Sequence, residues 1–106
     1  NIKNLLRDEA VNIAEQRMTE LRNLPFTSTV TNPALNDTNG VANSLGAFVA
    51  DTTVLRNLRN VQQMPFVSTK RIDDLSADNK QIEINVSWTW KGEAFSHQIT
   101  SLKRME

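Results

Sequence analysis

Residues 80–92, KQIEINVSWTWKG, alternate apolar and polar side chains more cleanly than any other stretch of this 106-residue chain. Ile82, Ile84, Val86, Trp88 and Trp90 fall on one side, and Glu83, Asn85, Ser87 and Thr89 on the other. That is the period of two which an extended strand imposes. A strand with one dry and one wet face belongs to a sheet covered on one side only. Lys91, Gly92 and Glu93 then supply a short turn, and FSHQITSLKR (95–104) returns as an antiparallel partner. Upstream, PFVSTKRI (65–72) reads as a further strand, joined to the first through DDLSADN (73–79) as a solvated turn. TTVLRNLRNVQQ (52–63) fits strand or helix equally well.

The cover for such a sheet stands at the other end of the chain. In NIKNLLRDEAVNIAEQRMTELRNLPF (1–26), Ile2, Leu5, Leu6, Ala10, Ile13, Ala14, Leu21 and Leu24 keep close to helical spacing, while Asp8, Asn12, Glu15, Thr19 and Arg22 line the opposite side. Val11 and Met18 widen the apolar side to about half the circumference, with Lys3, Arg7, Arg17 and Glu20 within it or at its edges. That is wider than one small sheet requires, so the surplus is expected to face a second surface. Pro25 ends the helix at about Asn23 or Leu24. Asn1 is a possible N-cap, but Asn4 rather than Glu or Gln stands three residues on, so there is no capping box. The chain is therefore expected to begin partway along a longer helix. Residues 27–51 carry Asn32, Pro33, Asn36, Asp37, Asn39 and Gly40 and read as a long connection, the natural place for partner-specific surface, with a short helical or strand piece in LGAFVAD (45–51). The expected fold is α+β, a roll with the N-terminal helix (1–24) packed on an antiparallel sheet of three to four strands (52–106), a variable loop (25–51) between them, all in one domain.

Composition narrows the functional classes. Twelve basic residues balance twelve acidic ones, so no bulk charge draws the chain to nucleic acid. There is no cysteine, hence no disulfide and no thiolate metal site. His97 is the only histidine and stands in phase with Phe95 and Ile99, as a rim or partly buried residue rather than a general base. No glycine-rich phosphate loop, nucleophile elbow or zinc motif is present, so neither a catalytic residue nor a cofactor is expected. Asp73, Asp74, Ser76, Asp78 and Asn79 offer oxygen ligands for calcium, but counted from Asp74 the spacing misses the EF-hand glycine and glutamate. Trp88 and Trp90 form a candidate stacking platform, but they share their face with Ile82, Ile84 and Val86, which favours core packing. The echo between NLPFTST (23–29) and QMPFVST (63–69) has flanks of different period and is not a repeat.

Ala14-Glu15-Gln16-Arg17-Met18, Glu20-Leu21-Arg22, Val86-Ser87-Trp88 and Thr100-Ser101-Leu102-Lys103-Arg104 carry a family resemblance. Together they resemble the minor pilins and pseudopilins of type IV pilus and type II secretion machinery, closest to the V-type minor pilins and I-type pseudopilins. The glycine-phenylalanine peptidase site of that family is not among these residues. The resemblance covers both ends of the chain, about half of it. It implies a pilin-like roll and a structural, non-enzymatic role. It also implies an inner-membrane helix upstream of a periplasmic domain that later joins a filament. The implied partners are other minor subunits and the major subunit, in a complex that initiates or caps assembly. Ile2, Lys3, Leu5, Leu6, Arg7, Glu9, Ala10 and Ile13 would be the contact residues, near the helix start and furthest from the sheet. The alternative role is a pilus-tip subunit that captures DNA, a surface or a carbohydrate through the 27–51 loop.

Overall fold

The computed structural model describes residues 1–106. A single α-helix, α1 (Ile2–Arg22), is followed by a 3-10 turn, η1 (Pro33–Leu35). Four strands complete the chain: β1 (Val49–Leu58), β2 (Val61–Ser76), β3 (Asn79–Trp90) and β4 (Glu93–Arg104). They form one antiparallel sheet in the order β1-β2-β3-β4, with α1 packed lengthwise over β3 and β4. The fold is α+β, a helix layer on a four-stranded antiparallel sheet. Its body is elongated, 48 × 23 × 18 Å.

Local chemistry fixes the element ends. The Asn1 side chain accepts hydrogen bonds from the Lys3 and Asn4 amides and so caps α1. At the other end the helix stops one residue earlier than expected, with Asn23 as C-cap ahead of Pro25. The Lys103 ammonium donates to the Arg22 carbonyl, a cation placed on the negative end of the helix. The hairpin between β3 and β4 turns on two residues, Lys91 (φ 50) and Gly92 (φ 77), in the left-handed pair that a two-residue turn requires. The ambiguous stretch 52–63 resolves as strand, turn and strand, with Asn60 (φ 64) making the corner.

α1 buries Leu6, Ala10, Ile13, Ala14, Met18 and Leu21, one narrow stripe. They meet Phe66, Ile72, Ile82, Ile84, Val86 and Trp88 from the sheet. Trp88 stacks on Phe95 at 5.7 Å and tilts against Phe66 at 5.9 Å. Trp90 is only half-buried at the core's edge.

Three sequence expectations change here. First, the sheet begins at Val49, so β1 takes the end of the expected loop. Second, DDLSADN is mostly ladder rather than solvated turn: β2 runs to Ser76 and β3 starts at Asn79. Its carboxylates are tolerated there because Lys80 donates to Asp74, and the Ser44 amide donates to Asp73. Third, residues 25–48 are not a loose loop. Phe26 and Leu35 belong to the core, the Lys70 ammonium donates to the Ala34 carbonyl, and residues 37–43 lie along the part of β2 that β1 does not reach. There the Thr38 and Asn43 amides donate to the Ile72 and Asp74 carbonyls, and Asp37 accepts from the Asp74 amide. Burial pushes the Asp37 carboxyl up, but hydrogen bonds from the Asp74, Asn39 and Gly40 amides outweigh it and leave it below the usual carboxylate range.

Leu35→Ala is expected to cost about 2–5 kcal/mol, as for any fully buried leucine. Val41→Ala in the same connection is expected to stay within about 0.5 kcal/mol, because Val41 is exposed. Denaturant unfolding of both variants checks this, and equal small effects would mean that the connection does not belong to the core.

Candidate functional site

The eight residues expected to contact partners divide into three groups. Leu6, Ala10 and Ile13 are fully buried under the chain's own sheet. They are unavailable to a partner without unfolding, and a charge at Leu6 would disrupt this core rather than spare it. The helix start is also not remote from the sheet: the Lys3 ammonium lies 3.7 Å from the Glu93 carboxylate and over the Phe95 ring. The reason is length. Twelve-residue strands span about 40 Å against about 31 Å for a 21-residue helix, so β3 and β4 underlie α1 from end to end. Glu9 is half-buried and accepts a 2.8 Å bond from Arg56 of β1. Arg7 is exposed.

Ile2 and Leu5 form the third group. Leu5 is 38% exposed, and together with Ile2 it lines an open cleft of about 800 Å³ between the start of α1 and the β1–β2 turn. Leu58, Val61 and Trp90 complete its apolar lining, and Asn1, Asn57, Arg59 and Asn60 its polar one. No acidic residue lines it. The arrangement suits the burial of an apolar segment beside one cation, Arg59. Leu58, Val61 and Arg59 were not legible as site residues, because 52–63 gave no clear period. The available signal was Arg59-Asn60, an Asn-bearing corner between apolar residues.

A second feature escaped the sequence altogether. The register of β1 against β2 shifts between Ala50 and Thr52, so that Asp51 is an extra residue in the ladder. The shift aims the Asp51 carboxylate at α1, where both of its oxygens accept 2.8 Å bonds from the Arg17 guanidinium. Ser68 donates to the same carboxylate at 2.9 Å, and Glu20 pairs with Arg17 from within the helix. Burial pushes the Asp51 carboxyl up, but the bonds from Arg17 and Ser68, with the charges of Arg17 and Lys70, bring it below the usual range. The bond to Asp51 correspondingly raises the Arg17 pKa. This cluster ties α1 to β1.

No protein-family model matches the chain, and neither does any curated protein or solved structure. α1, the only helix long enough to consider, is not apolar enough to cross a membrane.

Asp51→Asn is expected to destabilise the fold by about 2–3 kcal/mol at neutral pH, below the full cost of breaking a buried pair because Arg17 keeps some contact with water. The folded carboxyl titrates below the unfolded value of about 3.9, so its contribution is complete above that value and is lost as pH falls through the folded pKa. Wild-type and variant melts should therefore converge as pH drops below about 4. A gap that persists unchanged to low pH would show that the charge of Asp51 is not what holds the helix.

Proposed function

We propose that this chain is the periplasmic domain of a minor pilin or pseudopilin. In that role it joins a complex of minor subunits which starts or caps assembly of a type IV pilus or a type II secretion filament. Its work is geometric rather than catalytic. The supporting observation is that the segments carrying the resemblance come together in space. Residues 14–22 lie in the helix layer, residues 86–88 and 100–104 lie in the strands beneath it, and α1 packs directly on both of those strands.

On this proposal the surface offered to other subunits is the open flank of α1 around Leu5 and Arg7, with the cleft beside it. Five apolar residues line the cleft, and their burial against a neighbouring helix would stabilise a complex at about 25 cal/mol per Å². The buried stripe of Leu6, Ala10 and Ile13 holds the domain together and takes no part in the contact. The partners are the other minor subunits and the major subunit, and the inner membrane would be reached through a helix preceding Asn1.

The first test is mass spectrometry of the native protein extracted from membranes. The expected result is a methylated phenylalanine followed by about 20 apolar residues leading into this sequence. A native protein that starts at Asn1 would overturn the proposal. The second test is Leu5→Asp, expected to leave the melt of the isolated domain within about 1 kcal/mol of wild type. It should nevertheless abolish co-purification with the other minor subunits; retained co-purification would exclude this flank as the contact.

A further inference from the structure

The two edges of the sheet are built differently. β1 carries two register shifts, and two of its charged side chains, Asp51 and Arg56, reach back to α1 to pair with Arg17 and Glu9. Bulges and inward charges on an edge strand discourage a further strand from pairing with it. The part of β2 that β1 leaves open is covered by residues 37–43. β4 has no bulge, and the charged side chains that reach α1 from it, Glu93 to Lys3 and Lys103 to the Arg22 carbonyl, stand only at its two ends. Its ladder with β3 runs unbroken from Glu93 to Arg104, with no proline. Between Ala94 and Leu102 it carries no Asp, Glu, Lys or Arg. No hydrogen bond from elsewhere in the chain reaches its outer edge.

The hairpin fixes which groups that edge presents. In a two-residue hairpin the residues flanking the turn, Trp90 and Glu93, form a hydrogen-bonded pair, and bonded pairs then alternate along the ladder. The odd-numbered residues of β4 thus bond to β3. Ala94, Ser96, Gln98, Thr100 and Leu102 point their N–H and C=O groups away from the sheet.

We propose that this edge pairs with the same edge of a second copy of the chain, antiparallel and centred on Gln98, to give a two-fold dimer with one continuous sheet and both helices on the same face. The inference rests on the edge alone and uses nothing of the function proposed above. In this register Ala94 faces Leu102 of the second copy, Ser96 faces Thr100, Gln98 faces Gln98, and Glu93 faces Lys103. The first three are small-apolar, hydroxyl and amide pairs, each a favourable cross-strand combination, while Glu93 and Lys103 are opposite in sign but already paired within their own chain. Leu102, 58% exposed in the single chain, gains a neighbour. Five bonded positions with two bonds each give about ten backbone hydrogen bonds. The alternatives are worse. Parallel pairing in register sets Glu93 against Glu93 and Lys103 against Lys103. Sliding the antiparallel pair by two residues sets Lys103 against Phe95 in one direction and against Lys91 in the other.

The test is sedimentation equilibrium over a concentration series reaching the millimolar range, with hydrogen exchange of the whole chain in parallel. The expected mass rises to twice 12.0 kDa as concentration increases, while the amides of Ala94, Ser96, Gln98, Thr100 and Leu102 gain protection. Ala94→Lys with Leu102→Lys places like charges across the pair and should give a monomer. Ala94→Lys with Leu102→Glu restores opposite charges at the same two exposed positions and should recover the dimer. The two double variants should melt alike when dilute. A wild-type chain that stays monomeric throughout, a dimer that protects other amides instead, or double variants that associate equally would each overturn the proposal.

Discussion

Arg17 stands in the middle of the helix face that the sheet has to cover. At about 100° per residue it projects between Ile13 and Ala10, both buried. A guanidinium in that position cannot lie against hydrocarbon, so the sheet must bring a carboxylate to it. A regular β1 would not, and the extra residue that creates the bulge at Asp51 does. The result is a bidentate pair braced by Ser68, with Glu20 holding the far side of the guanidinium. The interaction ties the second half of α1 to the start of β1, beside the core that seats the helix on β3 and β4.

The same economy governs the connection between helix and sheet. β2 is longer than β1, and its last residues would expose an unpaired edge. Asp37, Thr38 and Asn43 meet Ile72 and Asp74 there, so the connection substitutes for the missing part of β1. Farther along, Arg71 donates to the Gly46 carbonyl and to both oxygens of Glu83 while lying over the Phe48 ring, which fastens residues 46–48 to the sheet's outer face. A segment rich in turn residues is thus held by backbone bonds at one end and by a buried ion pair at the other.

How much of this was legible in the sequence depends on whether the determinant was periodic. β3 and its pairing with β4 were, because side chains alternate over nine residues and a left-handed pair follows at Lys91 and Gly92. The buried stripe of α1 was also legible, though read as broader than it is. Arg17 was seen at the apolar face, but the residue that answers it lies 34 positions away and reaches it only through a bulge, which leaves no mark in composition. DDLSADN was misread because acidic residues favour turns when no cation faces them, and the cation, Lys80, sits across the ladder. Of the expected contact residues, Leu5 and Ile2 border the open cleft. Leu6, one residue on, turns 100° into the core, a difference that decides its role and that a wide apolar arc conceals.

The helix is held along two unlike seams. Toward β3 and β4 the contact is mainly hydrocarbon, Leu6, Ile13 and Leu21 with Ile82, Ile84, Val86 and Trp88, with Lys3–Glu93 and Lys103 on the Arg22 carbonyl at its two ends. Toward β1 it runs through charges, Arg17 with Asp51 and Glu9 with Arg56. An apolar seam carries no charge to screen, whereas an ionic seam weakens as salt rises, and the Asp51 pair is lost only as pH falls below about 4. The attachment of α1 to β1 through Arg17 and Glu9 is therefore the one that responds to solution conditions, whereas its attachment to β3 and β4 is carried by the core that holds the domain together.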